Sequence, residues 1–374
     1  MMLLIPHPDP MPLPAPVWLL RTLLLLLLTF FLHVLFINCL LGGTAFALVC
    51  MMRRRSSAFS ARLASDLGHI LPSVFAFTIT LGVAPLLFLQ VMYGQFLYAS
   101  SILIGVFWLS VIGLLILAYY GVYYFSMKGQ EHSGPATAVL AAVVLLLASV
   151  AYIYSSNFTL MLEPEQWLDM YRSNPHGWNL NAADPSLLPR YVHFVLGALA
   201  IAGMGLVVLG FRKQDIAYRQ WVIEQGSLLF TGATMVNFGV GFWFLATLPS
   251  TIRLNFIGGN GLATGLLGAG LLLPLAAIAH LIMAKGNKSP QRQVVIGVSC
   301  GVLTVAVMVV MRDQLRNLSL ASYFSPYQLP VASQWSIIAI FVVLFVAGLA
   351  TLYFMLHKVT TATRMKVAAA HQRD

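Results

Sequence analysis

VWLLRTLLLLLLTFFLHVLFINCLLGGTA, residues 17–45, carries a single charge, Arg21. About 18 consecutive apolar residues suffice to cross the hydrocarbon of a bilayer as a helix, so this run predicts a membrane span. Working outward, similar runs recur at 70–93, 98–125, 135–157, 190–211, 221–248, 261–284, 293–312 and 334–357. The expected fold is all-α: a polytopic bundle of nine transmembrane helices in one membrane domain, 1–374. Composition agrees, with 59% hydrophobic and 9% charged residues and a mean hydropathy of +0.85. Soluble domains carry roughly 25% charged residues, so that class is excluded.

The formal charge of +10 suggests a nucleic-acid partner only until its distribution is read. Lys and Arg fall in short clusters between apolar runs, and allocating them to alternate sides gives 15 against 6. The rich set includes Arg53, Arg54, Arg55, Arg62, Arg212, Lys213 and Lys358; the poor set is Arg21, Arg172, Arg190, Arg253, Arg312 and Arg316. The positive-inside rule then predicts an outer N-terminus and a cytoplasmic C-terminus. The charge is an orientation signal, and no nucleic-acid partner is expected; the bilayer itself is the surrounding partner.

Residues 1–16 are rich in proline and lack the basic n-region of a secretory signal, so the run after them is expected to be retained as the first span. Residues 158–189 form the one long loop, on the outer side, and 358–374 a cytoplasmic tail. Cys39, Cys50 and Cys300 show no CxxC, CxxCH or metal-ligand spacing, which argues against disulfides, zinc and covalently attached haem.

Ionisable groups within the hydrocarbon are costly, so each is a functional candidate. No Asp or Glu falls in the middle of a span; Asp313 lies at an outer end. Histidine is more informative. His33 lies well inside the first span and His193 one turn into the fifth. A neutral imidazole ligates haem iron without bringing charge into lipid, so both are candidate metal and cofactor ligands. A packed histidine bonding a carbonyl is the alternative. His69, His280 and His357 lie at inner ends, where a structural role is simpler. Arg312 and Arg316, four apart in MRDQLRN, share a helix face and could clamp haem propionates or snorkel beside Asp313. Gln90, Tyr93 and Gln95 are weaker candidates for a quinone or haem edge. The glycines of LGG (41–43) and GLATGLLGAG (261–270) allow close helix approach.

Several strings resemble subunit I of cytochrome bd-type quinol oxidases. LTFFLHVLF (28–36) is similar to the family's L-T-x-x-x-H-x-L-F, and LGVAPLLFLQVMYGQFLYASS (81–101) to its LGVATG…FQFGTNW…Y. NFTLMLEP (157–164) resembles N-x-W-M-x-x-P, and DPSLLPRYVHFVLGALA (184–200) resembles NP…FVHTVLA. The resemblance covers most of the first six helices, in order and with matching topology. It implies that His33 stands at the haem-ligating histidine of the oxygen-reducing pair and His193 at the ligand of the low-potential haem b.

The chain also departs from that family. Residues 102–121 of the third span, which correspond to the family's third helix, have no glutamate, and Leu266 stands where the seventh helix would offer a methionine opposite His193. The quinol loop has shrunk to 249–260, and the E-x-G-R-Q-P-W signature is absent. The resemblance and these losses together imply a haem b-binding electron-transfer subunit, with one or more haems, in the bacterial inner membrane. Its expected partners are other membrane subunits of a respiratory complex and a multihaem cytochrome c or quinone. The alternatives are a divergent terminal oxygen reductase, drawing protons through hydroxyls such as Thr78, Thr80, Tyr119 and Tyr120, and a haem-free scaffold or transporter subunit.

Overall fold

The computed structural model describes residues 11–23, 25–129, 131–285 and 290–371. Among these residues nine helices are long and apolar enough to cross a membrane, and the chain is a multi-pass membrane protein. We label them α1 (Leu26–Arg53), α2 (Ala58–Leu103), α3 (Gly105–Lys128), α4 (Ser133–Leu160), α5 (Leu187–Phe211), α6 (Ile216–Thr247), α7 (Gly261–Lys285), α8 (Pro290–Leu320) and α9 (Trp335–His371). Lipid offers no partner for a backbone N–H or C=O, so an apolar crossing segment closes its hydrogen bonds on itself as a helix. Polar residues mark where helices begin. Ser57 caps α2 by accepting from the Ser60 N–H at 3.2 Å, and Asp215 caps α6 through the Tyr218 N–H at 3.1 Å.

The boundary between the second and third spans differs from the sequence reading. α2 has 46 residues, which at ~1.5 Å per residue is about 69 Å, against about 30 Å of hydrocarbon. The helix breaks at Tyr93 (φ −133°, ψ 32°), where the second apolar run was expected to end. Residues 98–103, expected to open the third span, belong instead to the tail of α2, and α3 starts at Gly105. Asn179 donates to the Leu103 carbonyl at 2.9 Å and Gly177, at φ +76°, lies against the backbone of Gly105, so the long loop seals this corner.

Several helix ends on one face are tied into a cap. Within the 158–189 loop a short helix, Trp167–Ser173, docks by the Trp167 indole donating to the Leu160 carbonyl at 2.8 Å. Residues 13–14 pair with 330–334 through Leu13 N–H to Pro330 C=O (2.8 Å), Ala332 N–H to Leu13 C=O (2.9 Å) and Gln334 N–H to Pro14 C=O (2.7 Å). Residues 1–10 of the proline-rich segment lie outside the described residues. The opposite face carries Arg54 on the Gly129 carbonyl (2.7 Å), Arg62 on Asp215 (2.7 Å) and Lys213 on Asp66 (2.7 Å).

Glycine permits close helix crossings, and a Cβ on Gly42 of α1 would lie 2.2 Å from the Ala198 oxygen of α5. A Cβ on Gly203 of α5 would lie 2.6 Å from the Phe230 nitrogen of α6, and one on Gly226 would lie 2.6 Å from the Gly203 oxygen. In the stretch 261–270, by contrast, Gly261, Gly265 and Gly268 meet nothing within 4 Å, and only Gly270 is packed closely. α9 stands apart: none of its apolar window, Trp335–Met355, is buried, and its firmest contact is the edge-on ring pair Phe88–Phe341 at 5.0 Å.

Candidate functional site

Between α1, α2, α5, α6, α7 and α8 lies a cavity of about 600 Å³, walled mainly by Leu, Ile, Val and Phe. Such a volume is in the range of small-molecule and cofactor sites, ~300–1,000 Å³. His33, His193, Arg312 and Arg316 all line it, so the residues selected from the sequence converge on one space. Arg190, Asn38 and Asn237 join them.

His33 is held by its Nδ1, which lies 3.0 Å from the Thr78 carbonyl of α2. A carbonyl oxygen only accepts, so Nδ1 carries the hydrogen and the neutral ring keeps its lone pair on Nε2. The ring lies over Gly82, where a Cβ would fall 2.7 Å from Cε1 and 2.9 Å from Nδ1. His193 repeats the arrangement on the other side. It lies over Gly241 of α6, whose Cβ would be 3.4 Å from Cε1. Its ring faces Asn237: neither the His193 Nδ1 nor the Asn237 Oδ1 has a well-aligned hydrogen-bond partner, but the two residues are close enough to pair with each other.

The arginines at the cap end divide into two kinds. Arg316 donates to Asp313, which is 2% exposed and also accepts from Arg21 at 2.6 Å and from Asn317 at 3.1 Å. The Arg316 guanidinium lies 4.3 Å from the Tyr93 ring centroid, and the Tyr93 hydroxyl is 2.5 Å from Asn317 Oδ1. This network locks the Arg21 segment onto α8. Arg312 instead lies between the rings of Phe30 and Phe158, 4.6 Å from each centroid, and Arg190 lies 4.9 Å from Phe244. Among the described residues neither of these two side chains makes an ion pair or a hydrogen bond. Arg190 faces the charges of Asp184 and Glu163, whereas the charges nearest Arg312 that act on it are those of Arg316 and Arg190. A buried guanidinium without an anion is costly, so the Arg312 end of the cavity is built for negative charge. Of the two sequence alternatives, the local pair with Asp313 holds for Arg316, while Arg312 lies against the aromatic wall.

No protein-family model matches the chain, and no curated protein matches it. The site therefore rests on its own chemistry.

His69, His280 and His357 do not line the cavity; His280 pairs with Gln293 at 2.6 Å. Gln90 and Gln95 also lie outside its lining, and Tyr93 belongs to the Asp313 network. Of the hydroxyls considered for proton supply only Thr78 reaches the cavity, and its hydroxyl donates to the Val74 carbonyl at 2.8 Å. Thr80 is exposed and bonded to Ala76, Tyr119 pairs with Tyr123, and Tyr120 is exposed on the outside of α3. Leu266 is not in the lining, whereas Met308 and Met311 of α8 are. Among the described residues no group of three or more His, Cys, Asp and Glu could hold a bare metal ion. Sequence reasoning missed Arg190, Asn38, Asn237 and Met308. Arg190 had a usable signal, since it precedes His193 by three residues and so shares its helix face.

Proposed function

We propose that this chain is a haem b-binding electron-transfer subunit of a bacterial respiratory membrane complex, related to subunit I of cytochrome bd-type oxidases. The observation that carries this reading is the convergence of His33, His193 and two unpaired arginines on one apolar cavity. The residues fit the group. His33 is oriented by the Thr78 carbonyl with Nε2 free to ligate, His193 lines the same cavity beside Asn237, and a glycine beneath each ring gives the imidazole its place. Arg312 and Arg190 would hold propionates, with Arg316 already paired with Asp313.

Bound haem supplies one-electron exchange, tuned by its axial ligands and surroundings. The chain's own residues do the rest. The Phe30 and Phe158 rings around Arg312 exclude water from the charged end of the cavity. The arginines lie at the cap face, so electrons would be exchanged there with a multihaem cytochrome c, a second membrane subunit or a quinone. Oxygen reduction is the weaker reading, because it consumes protons. Asp313 is the only carboxylate in the described lining, and Arg21 and Arg316 hold it as an ion pair.

The test is a reduced-minus-oxidised spectrum of the purified complex. A b-type band is expected, lost in part or whole in His193→Ala and retained in His280→Ala. Protein without a b-type band would leave the scaffold reading. Rapid oxygen consumption with quinol or reduced cytochrome c would favour the oxidase.

A further inference from the structure

Two carboxylates of the 158–189 loop have no part in the function above, yet both act on an arginine that lines the cavity. We propose that Glu163 is a proton-binding group on the cap, linked through Arg190 to the electron held in the cavity. This rests on the haem reading above.

Position comes first. Arg190 stands in the first turn of α5, lines the cavity, and feels the charges of Asp184 and Glu163 from the loop. Toward the cavity, its own charge acts on Arg312. Charge added to the cavity is therefore felt across Arg190 by two carboxylates.

The two carboxylates differ in what holds them. Asp184 is 6% exposed, and Ser186 donates to both of its oxygens, from the backbone N–H at 2.8 Å and from the hydroxyl at 2.8 Å. Glu163 follows α4, is partly exposed on the cap, and accepts from the Asn181 amide at 2.8 Å. Asn181 is fixed in turn: its amide also donates to the Thr159 hydroxyl at 3.1 Å, and its backbone N–H donates to the Ser156 hydroxyl at 2.8 Å. The charged groups that face Glu163 are thus Asp184 from the loop and Arg190 from α5, while α4 contributes neutral hydroxyls. Glu165 is turned away to Tyr323, and Asp313, in the cavity wall, is held by Arg21 and Arg316.

Electrostatics gives the direction. Burial is the largest influence on the Glu163 carboxyl and raises it above its ordinary 4.5, against the Asn181 hydrogen bond and the Arg190 charge; Asp184 adds to the rise. An electron drawn from an external one-electron donor adds one negative charge to the cavity. A proton from water at the cap then binds a Glu163 oxygen and forms the neutral acid, and oxidation releases both again. Unit charges ~12 Å apart at an effective dielectric of ~20 change one another's proton affinity about tenfold. By reciprocity the electron affinity changes by the same factor, which is ~59 mV for one electron.

The experiment is a redox titration of the intact haem-loaded protein between pH 4 and pH 8, with Glu163→Gln and, as an exposed control on the same loop, Asp169→Asn. Glutamine keeps the acceptor for Asn181. At the acid end, where Glu163 is protonated, wild type and Glu163→Gln should share one midpoint potential. With rising pH the wild type should fall below the variant, by ~59 mV at the upper end, and Asp169→Asn should follow the wild type. Reduction of the wild type should also add the infrared carbonyl stretch of a protonated carboxyl, which Glu163→Gln lacks. Equal potentials at every pH, an offset that does not change with pH, or identical infrared difference spectra would overturn this assignment and leave the haem reading standing. Wild-type protein without a b-type band overturns the haem reading and the assignment with it.

Discussion

Gly82 carries as much of the site's geometry as the histidine it supports. An added methyl there would sit 2.7 Å from the His33 ring, which the Thr78 carbonyl, one turn earlier on α2, holds in place. Gly82→Ala should therefore displace the imidazole, with an overpacking cost of ~1–3 kcal/mol. The expected result is a lower melting temperature in detergent and a changed haem spectrum. Gly241→Ala is the control, because its 3.4 Å contact with His193 needs only a small adjustment. Equal behaviour of the two variants would show that the His33 ring moves freely. His33 and His193 were legible in the sequence because an ionisable group inside an apolar run stands out. Gly82 was not, because its importance lies in a contact between two helices. Arg190 was hidden by its position at the edge of a run, where the likeliest fate of an arginine is the headgroup region.

At the level of elements, hydropathy located every span but not every end. α2 shows why: its tail after Tyr93 is apolar enough to read as membrane, yet Phe96 and Trp167 pack edge to face there beneath the cap, at 6.0 Å. The cap itself holds a polar group with a testable cost. Glu163 is half-buried, and burial raises its carboxyl above the ordinary value of 4.5 although Asn181 donates to it at 2.8 Å. A carboxyl raised in the folded state binds its proton more tightly there than in the unfolded chain. Its contribution to stability is then fully present below pH 4.5 and is lost as pH rises through the raised value. Thermal unfolding followed from pH 4 to pH 7 should show this decline in the wild type. Glu163→Gln keeps an acceptor for Asn181 and removes the charge, so its profile should be flatter and its stability at neutral pH no lower. A steeper profile in the variant would mean that the carboxylate is stabilised by the cap, not penalised by it.

For the whole molecule the open quantity is direction. The helices alternate, so the cap and the two unpaired arginines share one face while Arg53, Arg54, Arg62 and Lys213 gather on the other. Positive residues are retained on the cytoplasmic side, which predicts that the cavity's charged end faces outward. That end would then meet an outer-side partner directly, with no need to carry electrons across the full membrane. A fluorescent reporter fused after residue 374 should fold and fluoresce, and a periplasm-dependent phosphatase should be active when inserted in 158–189 but not at the C-terminus. The reverse pattern would turn the arginine end toward the cytoplasm. An outer cytochrome c could then no longer reach it, and the electron-transfer reading would need a cytoplasmic or membrane-bound donor.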